Sequence, residues 1–340
     1  PAIIAYLPFY TSFSSQADGV LPVVATDGIT HPGTRPLHLL LFWGPLFAVV
    51  LPFVAAQLLA ARDRITRPAM RAAAAVPGAV IVLWGLLFLW TDLRNNEKIF
   101  GTESAPSGAG NIIQQIGDRG AGWVSALVIA AALGASLLAL WLHLDERETR
   151  PGRQAALFAL GLAATAFLLI LGTEFFYVGD LFNSRMNTVF KLYYQAWLLL
   201  ALAGGFALYH LWGSWRYSFA GAARYRLGWG ALAAFGLACG TLYPVGATLN
   251  RTEAFERQGQ LGGLHVFSAS DRAAFDWLRG LDEGQQVTIA EAVGGDYWVN
   301  GQFSRVSMAT GVPAVLGWGG HEDQWRGGSA SARAGRFEDV

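Results

Sequence analysis

The chain has 340 residues, of which 53% are hydrophobic and 14% charged, with 24 basic residues against 24 acidic ones and a mean hydropathy of +0.36. Soluble domains carry about 25% charged residues, so this composition excludes an ordinary soluble domain and indicates a membrane protein. Zero net charge gives no basic footprint for a nucleic acid, and the single Cys239 excludes an intrachain disulfide.

Residues 1–36 open on "PAIIAYLPFYTSFSSQ" and are expected to be a loop or re-entrant segment. The chain begins at Pro1 with neither a basic n-region nor a signal-like cleavage site, and is expected to be the C-terminal part of a longer protein. Its basic residues are almost all arginine and it is rich in Ala and Gly, which points to a high-GC genome.

Six stretches reach the roughly 20 apolar residues needed to cross a hydrocarbon core of about 30 Å. They are expected at about 37–60, 72–91, 122–144, 155–179, 189–212 and 226–247, a transmembrane domain over 37–247. Pro45, Pro52 and Pro77 are read as kinks, because neighbouring helices can re-satisfy the freed carbonyls. Between the second and third spans, "FGTESAPSGAGN" reads as a small, polar connector.

Arginines orient the spans. Loops 61–71, 145–154 and 213–226 hold ten Lys or Arg in 35 residues, whereas 92–121 and 180–188 hold four in 39. The positive-inside rule puts the first set in the cytoplasm. The segment before the first span, the two poorer loops and everything after the sixth span are then expected outside, in a multi-pass cell-membrane protein.

Residues 248–340 are expected to form a small extracytoplasmic α/β module, incomplete at its end. "SASDRAAFDWLRGL" suggests a helix capped by Ser270 and closed by Gly280; "QQVTIAEA" suggests a short strand, in a strand–helix–strand pattern.

Two polar constellations stand out. The first is "TEFFYVGDLFNSRMNTVFKLYYQAW", from Thr173 to Trp197, where Glu174, Asp180, Arg185 and Lys191 gather at one rim. Asn187, Lys191 and Tyr194 follow an i, i+4, i+7 rule with Gln195 beside them. Charges in a bilayer cost on the order of 3 kcal/mol or more, so they usually line a cavity or pair. The plainer alternative is that Lys191 snorkels and an acid pairs with Arg185 to hold the hairpin. The second is "LGWGGHEDQWRGG", where Trp318 and Trp325 bracket His321, Glu322, Asp323 and Arg326. It suits a sugar, with indole faces on the ring, and suits a tail on the membrane surface equally. Trp325 stands where a zincin would need its second His, so no zinc site is expected. "EAVGGDYW" adds Glu291, Asp296 and Tyr297 behind a strand end, as a functional loop or merely a turn.

The segments "RMNTVFKLYYQAWLLLALA" and "SRVSMATGVPAVLGWGGHEDQWRG" resemble the signature segments of the Chlor-Arch-YYY membrane proteins, a domain-of-unknown-function family. That family is similar in turn to the GT-C class of multi-spanning glycosyltransferases, an analogy of fold. The resemblance implies sugar transfer from a polyprenyl-phosphate carrier on the outer face. Arg185, Lys191, Asn187, Tyr194 and Gln195 would then bind the donor phosphate, with Glu174 and Asp180 as supporting acids. Glu291, Asp296, Tyr297, Trp318, His321, Glu322, Trp325 and Arg326 would contact the acceptor and roof the site. GT-C enzymes carry an acidic pair on the first outward loop; Asp18 and Asp27 are lone acids, so the catalytic base is unassigned and a divalent cation (Mg or Mn) stays an open alternative. The rival readings are a non-catalytic cell-envelope assembly protein and a transporter. Charges at one rim and the lack of a visible repeat argue against the transporter.

Overall fold

A computed structural model describes residues 7, 17, 19–25, 32–94, 109–144, 152–180, 184–214, 222–256, 262–282, 287–294, 303–325 and 335–336. They are mostly helical. The chain divides into two compact units, Asp18–Ala247 and a second made of Pro1–Ala17 with Thr248–Val340.

The larger unit begins with β1 (Val20–Pro22) and continues through α1 (Pro36–Ala60), α2 (Arg67–Arg94), α3 (Ala109–Asp118), α4 (Gly122–Leu144), α5 (Arg153–Phe175), β2 (Phe176–Val178), α6 (Met186–Ser214) and α7 (Ala222–Arg251). All of these helices except α3 are long and apolar enough to cross a membrane, which makes six candidate spans. Pro45, Pro52, Pro77 and Pro244 all lie inside helices.

Helix α5 is the centre of the bundle, packed most extensively against α6 and α4. Its alanines at 156, 159, 163, 164 and 166 are buried, and small side chains let neighbouring backbones approach where lipid offers no hydrophobic drive. Phe167, Ile170 and Leu171 fill the space between helices, with Trp43, Val50 and Phe53 of α1 and Leu200 of α6. Helix α7 is the least covered span; Trp229 anchors it by donating Nε1–H to Ala48 O at 3.1 Å.

Three features depart from the sequence expectation. The fourth span ends at Phe175, and residues 176–178 leave the helix as β2, pairing antiparallel with β1 in the register Val20↔Val178, Leu21↔Tyr177 and Pro22↔Phe176. The polar connector gives way at Ala109 to α3, which lays Ile112 against Gly85 and inserts Gln115 under the N-terminal segment. There Gln115 Oε1 accepts from Ala25 N at 2.6 Å and its Nε2 donates to Ala25 O at 3.3 Å. Trp84 adds Nε1–H to Val23 O at 3.0 Å. Residues 20–25 and 32–34 are thus strapped across one end of the bundle, over the ends of α2 and α5 and the start of α4.

The smaller unit contains α8 (Ala269–Asp282), α9 (Arg305–Thr310) and α10 (Gly319–Trp325). Ser268, not Ser270, caps α8: its Oγ accepts from Asp271 N at 3.1 Å and donates to Asp271 Oδ2 at 2.8 Å. The helix runs through Gly280 to Asp282. The expected strand–helix–strand survives as one parallel bridge, Ile289↔Ala314, on either side of α9. A small core of Phe267, Phe275 and Ala309 joins α8 to α9.

Candidate functional site

Where α5 ends, the chain concentrates its buried charge. Glu174 sits in the last turn of α5 with its side chain 0% exposed. A carboxylate there faces the negative end of the helix dipole and leaves water, two penalties that need several donors to offset. Four groups supply them. Thr34 gives N–H to Oε2 at 2.7 Å and its hydroxyl to Oε1 at 2.5 Å. Arg185 Nη1 reaches Oε1 at 3.1 Å, and Arg119 Nη2 lies 3.9 Å from Oε2.

Arg119, between α3 and α4, has a fully buried side chain. Its Nη2 donates to the Glu174 carbonyl, which the end of α5 leaves without an intrahelical partner. Its guanidinium lies 4.2 Å from the Phe175 ring centroid, 5.3 Å from Trp123 and 5.7 Å from Trp84. These π-faces replace part of its hydration. Burial pushes Arg119 down to about 10, with Glu174 opposing the shift and Arg185 adding to it, so it stays cationic at neutral pH.

Two glycines let the backbone come this close. A Cβ on Gly33 would stand 3.2 Å from Glu174 Oε2 and 3.3 Å from Arg119 Nη2, and its φ is +109°. A Cβ on Gly122 would stand 3.1 Å from Pro32 O. Gly33→Ala is therefore expected to cost about 1–3 kcal/mol from backbone strain alone, with more from the contact. It should appear as a lower midpoint for unfolding of the detergent-solubilised protein; an unchanged midpoint would show that the 32–34 strap contributes nothing.

Arg185 turns the cluster outward. Its side chain is 25% exposed, and beyond Glu174 it donates to Thr173 O and Thr34 Oγ1, both at 3.3 Å. Two bonds hold the hairpin leading into α6: Asn187 Nδ2 donates to Asp180 Oδ2 at 2.7 Å, and Thr188 Oγ1 accepts from Val178 N at 2.9 Å. Burial, then Asp180, push the Tyr177 phenol up to about 12, so it stays neutral beside these groups.

A groove of about 660 Å³ opens next to Arg185. Ser184 and Arg185 form its polar part; Phe42 of α1 and Met186, Val189, Phe190, Tyr193, Tyr194 and Trp197 of α6 form its apolar walls. Tyr193 belongs to both features. Its ring packs 5.0 Å from Trp43 and 5.6 Å from Phe42, and its hydroxyl end faces the Thr34 and Thr173 side chains.

The structure thus brings Glu174 together with Arg185, and Asp180 with Asn187. Tyr194 joins the groove wall, while Lys191 and Gln195 lie exposed on α6 outside it. The buried stripe Ala196, Leu200, Ala203, Ala207 and Leu211 explains this placement. At about 100° per residue, extending that stripe backward reaches Tyr193, whereas Lys191 and Tyr194 fall on the far side. Thr34, Arg119, Thr173 and Tyr193 were not selected by sequence. The glycines around Arg119 in "GDRGAGW" and around Thr34 in "PGTRP" were the available signal.

Among the acceptor candidates, Glu291 caps α9, accepting from Val306 N at 2.9 Å and Ser307 N at 3.0 Å. Trp318 donates Nε1–H to Phe303 O at 3.1 Å and lies 5.2 Å from the His321 ring. Glu322 Oε1 accepts from Gly317 N at 3.4 Å. Asp296, Tyr297, Arg326 and the Trp325 side chain lie outside the described residues. Among the described residues, no three His, Cys, Asp or Glu side chains are grouped as metal ligands would be.

Six apolar helices with a buried charge cluster at one end define a polytopic α-helical membrane protein. The sequence profile of a family described as "Uncharacterized membrane protein (DUF2298)" matches residues 1–200, more than half of the chain, and the chain belongs to that family. The match takes in the whole cluster and the groove; the second signature segment, 304–327, lies beyond it. No curated protein and no solved structure matches the chain.

Proposed function

We propose that the protein is a GT-C-like glycosyltransferase that takes a sugar from a polyprenyl-phosphate carrier on the outer face of the membrane. One observation carries the reading: Arg185, partly exposed and held by Glu174 and Thr34, stands at the polar part of an apolar groove. As the sugar–phosphate bond breaks, charge grows on the departing phosphate, and a cation already oriented stabilises it without reorganising. Glu174 is a positioning group here, since donors already occupy its carboxylate. The catalytic base is unassigned. The test is incorporation of labelled sugar from a polyprenyl-phosphate donor by membranes carrying the protein; no transfer from any such donor would sink the reading.

A second reading, a non-catalytic cell-envelope assembly protein, is favoured by one specific feature. Glu174 lies between Arg119 and Arg185, 3.9 Å and 3.1 Å from them, as in a structural ion cluster.

Orientation is part of the proposal and can be tested separately. Cys239 is exposed, so a Cys239→Ala background is needed. In intact cells, Ser104→Cys and Ala330→Cys are expected to react with an impermeant thiol reagent and Arg150→Cys to stay unlabelled, because the arginine-rich loops are cytoplasmic. Labelling at position 150 would invert the protein and move the proposed site to the other face.

A further inference from the structure

The groove beside Arg185 has one long direction. Its α6 wall residues, 186, 189, 190, 193, 194 and 197, recur every three or four positions along a single helix face. From Arg185 to Trp197 is twelve residues, or about 18 Å at 1.5 Å per residue. The charged residue stands at the end at the bundle rim, and the mostly apolar lining from Met186 to Trp197 continues for more than half of a hydrocarbon core of about 30 Å. A soluble sugar or free anion would leave that wall unfilled. The complementary ligand is an amphiphile with its head at Ser184 and Arg185 and its chain along α6.

Charge fixes the sign of the head. Arg119 and Arg185 share the single carboxylate of Glu174, while Asp180, the other acid of this rim, is bonded to Asn187. Arg185 is the partly exposed cation of the cluster, so it is the group an anionic head would meet. Arg185 spends part of its five-donor fork on Thr34, Thr173 and Glu174, and its exposed part faces the groove. The first turn of α6 begins at Met186, whose N–H is bonded to Ser184 Oγ at 3.4 Å, and the positive end of the helix dipole at Asn187 and Thr188 also favours a phosphate.

We infer that the groove binds the chain of a single-chain, phosphate-headed membrane lipid, the polyprenyl-phosphate carrier itself, with Arg185 on its phosphate. Naming the carrier rests on the transferase reading; occupancy of the groove by such an amphiphile does not. One face of one helix, with Phe42 opposite, offers a track for one chain. A diacyl phospholipid would seat one of its chains and leave the other outside. Aromatic rings at 42, 190, 193, 194 and 197 suit the methyl-branched, unsaturated units of an isoprenoid. Tyr193 links the two ends of the site: the ring that lines the groove also carries the hydroxyl that faces Thr34 and Thr173, so filling the groove and holding Arg185 are coupled.

The test is photolabelling of the intact protein in phosphatidylcholine nanodiscs, with a polyprenyl phosphate bearing a diazirine near its head. Label is expected on the segment 186–197. Unlabelled polyprenyl phosphate should compete, while polyprenol, inorganic phosphate and phosphatidic acid should compete at least about tenfold less well. Val189→Trp, which fills the groove, should lower labelling by a similar factor. Should that variant fail to fold, the exposed pair Phe190→Ala and Tyr194→Ala decides instead, with the same expected loss. Label elsewhere, equal competition by polyprenol or phosphatidic acid, or labelling indifferent to the groove variants would overturn the inference. Sugar transfer measured on the same samples separates the two claims. Groove labelling without transfer keeps the lipid site and removes the transferase reading; normal transfer in a folded groove-filled variant does the opposite.

Discussion

Arg185→Met is expected to reach nearly normal membrane abundance and to lose about a hundred- to a thousandfold in sugar transfer. The loss is the usual cost of removing one preorganised donor from a developing oxyanion. Folding should tolerate the change, because Glu174 keeps both bonds from Thr34 and its contact with Arg119, and methionine is at home against Phe190 and Met186. Arg185→Lys should recover only part of the rate, since a point charge replaces a planar fork that can hold two phosphate oxygens. Lys191→Met is the internal control. That lysine is exposed on α6 and outside the groove, so its loss should leave transfer unchanged. The measurement is labelled-sugar incorporation normalised to protein in the membrane. A folded Arg185→Met protein with full transfer would remove this residue from the mechanism. Degradation of both Arg185 variants would favour the assembly-protein reading.

The contrast between Arg185 and Lys191 also shows what a membrane sequence reveals unaided. The six spans were legible because each is a run of apolar residues longer than any soluble helix needs, and the arginine-rich loops punctuate them. Position around a helix is less legible. Polar residues at 187, 191, 194 and 195 formed a plausible face by spacing, but the inward direction of α6 is set by small and apolar positions one to four turns further on. In a lipid-facing helix both sides are apolar, so hydrophobicity does not mark the inside; residue size does, and alanine marks it best here.

Partners distant in sequence were the other blind spot. Thr34 lies 140 residues from Glu174, and Arg119 lies 55 from it. Nothing local in "TEFF" indicates either. Arg119 looks like an ordinary loop arginine until the β1–β2 pairing and the Gln115 bonds close the N-terminal segment over it. Those strands are three residues long and one contains proline, so they carry no alternation to detect. The same applies on a small scale to Glu291, whose role as a helix cap depends on a backbone fifteen residues away. Acids and arginines advertise that a site exists; whether they are spent on each other is decided by the fold.

For Glu174 the fold gives a definite answer, and with it the largest stability effect expected in this protein. Glu174→Ala would leave Arg119 buried with aromatic rings but without a counter-charge, and would strip Thr34 of its acceptor. Breaking a buried pair by removing one partner typically costs 3–5 kcal/mol, much of it the unpaired charge left behind. Because both side chains have no exposure, solvent screening does not reduce that figure. Glu174→Gln should fall between, keeping an acceptor for Thr34 while losing the charge that faces two arginines. Arg119→Met should be costly alone, yet combining it with Glu174→Gln should cost less than the two single changes together, since the double variant leaves fewer unmatched charges. Residues in one such network commonly show coupling of about 0.5–3 kcal/mol. Unfolding of the purified protein in mild detergent, followed by circular dichroism, measures all four. Additive losses would mean that Arg119 and Glu174 do not interact, and a Glu174→Ala protein as stable as wild type would show that the cluster contributes nothing to holding α5, α6 and the N-terminal strap together.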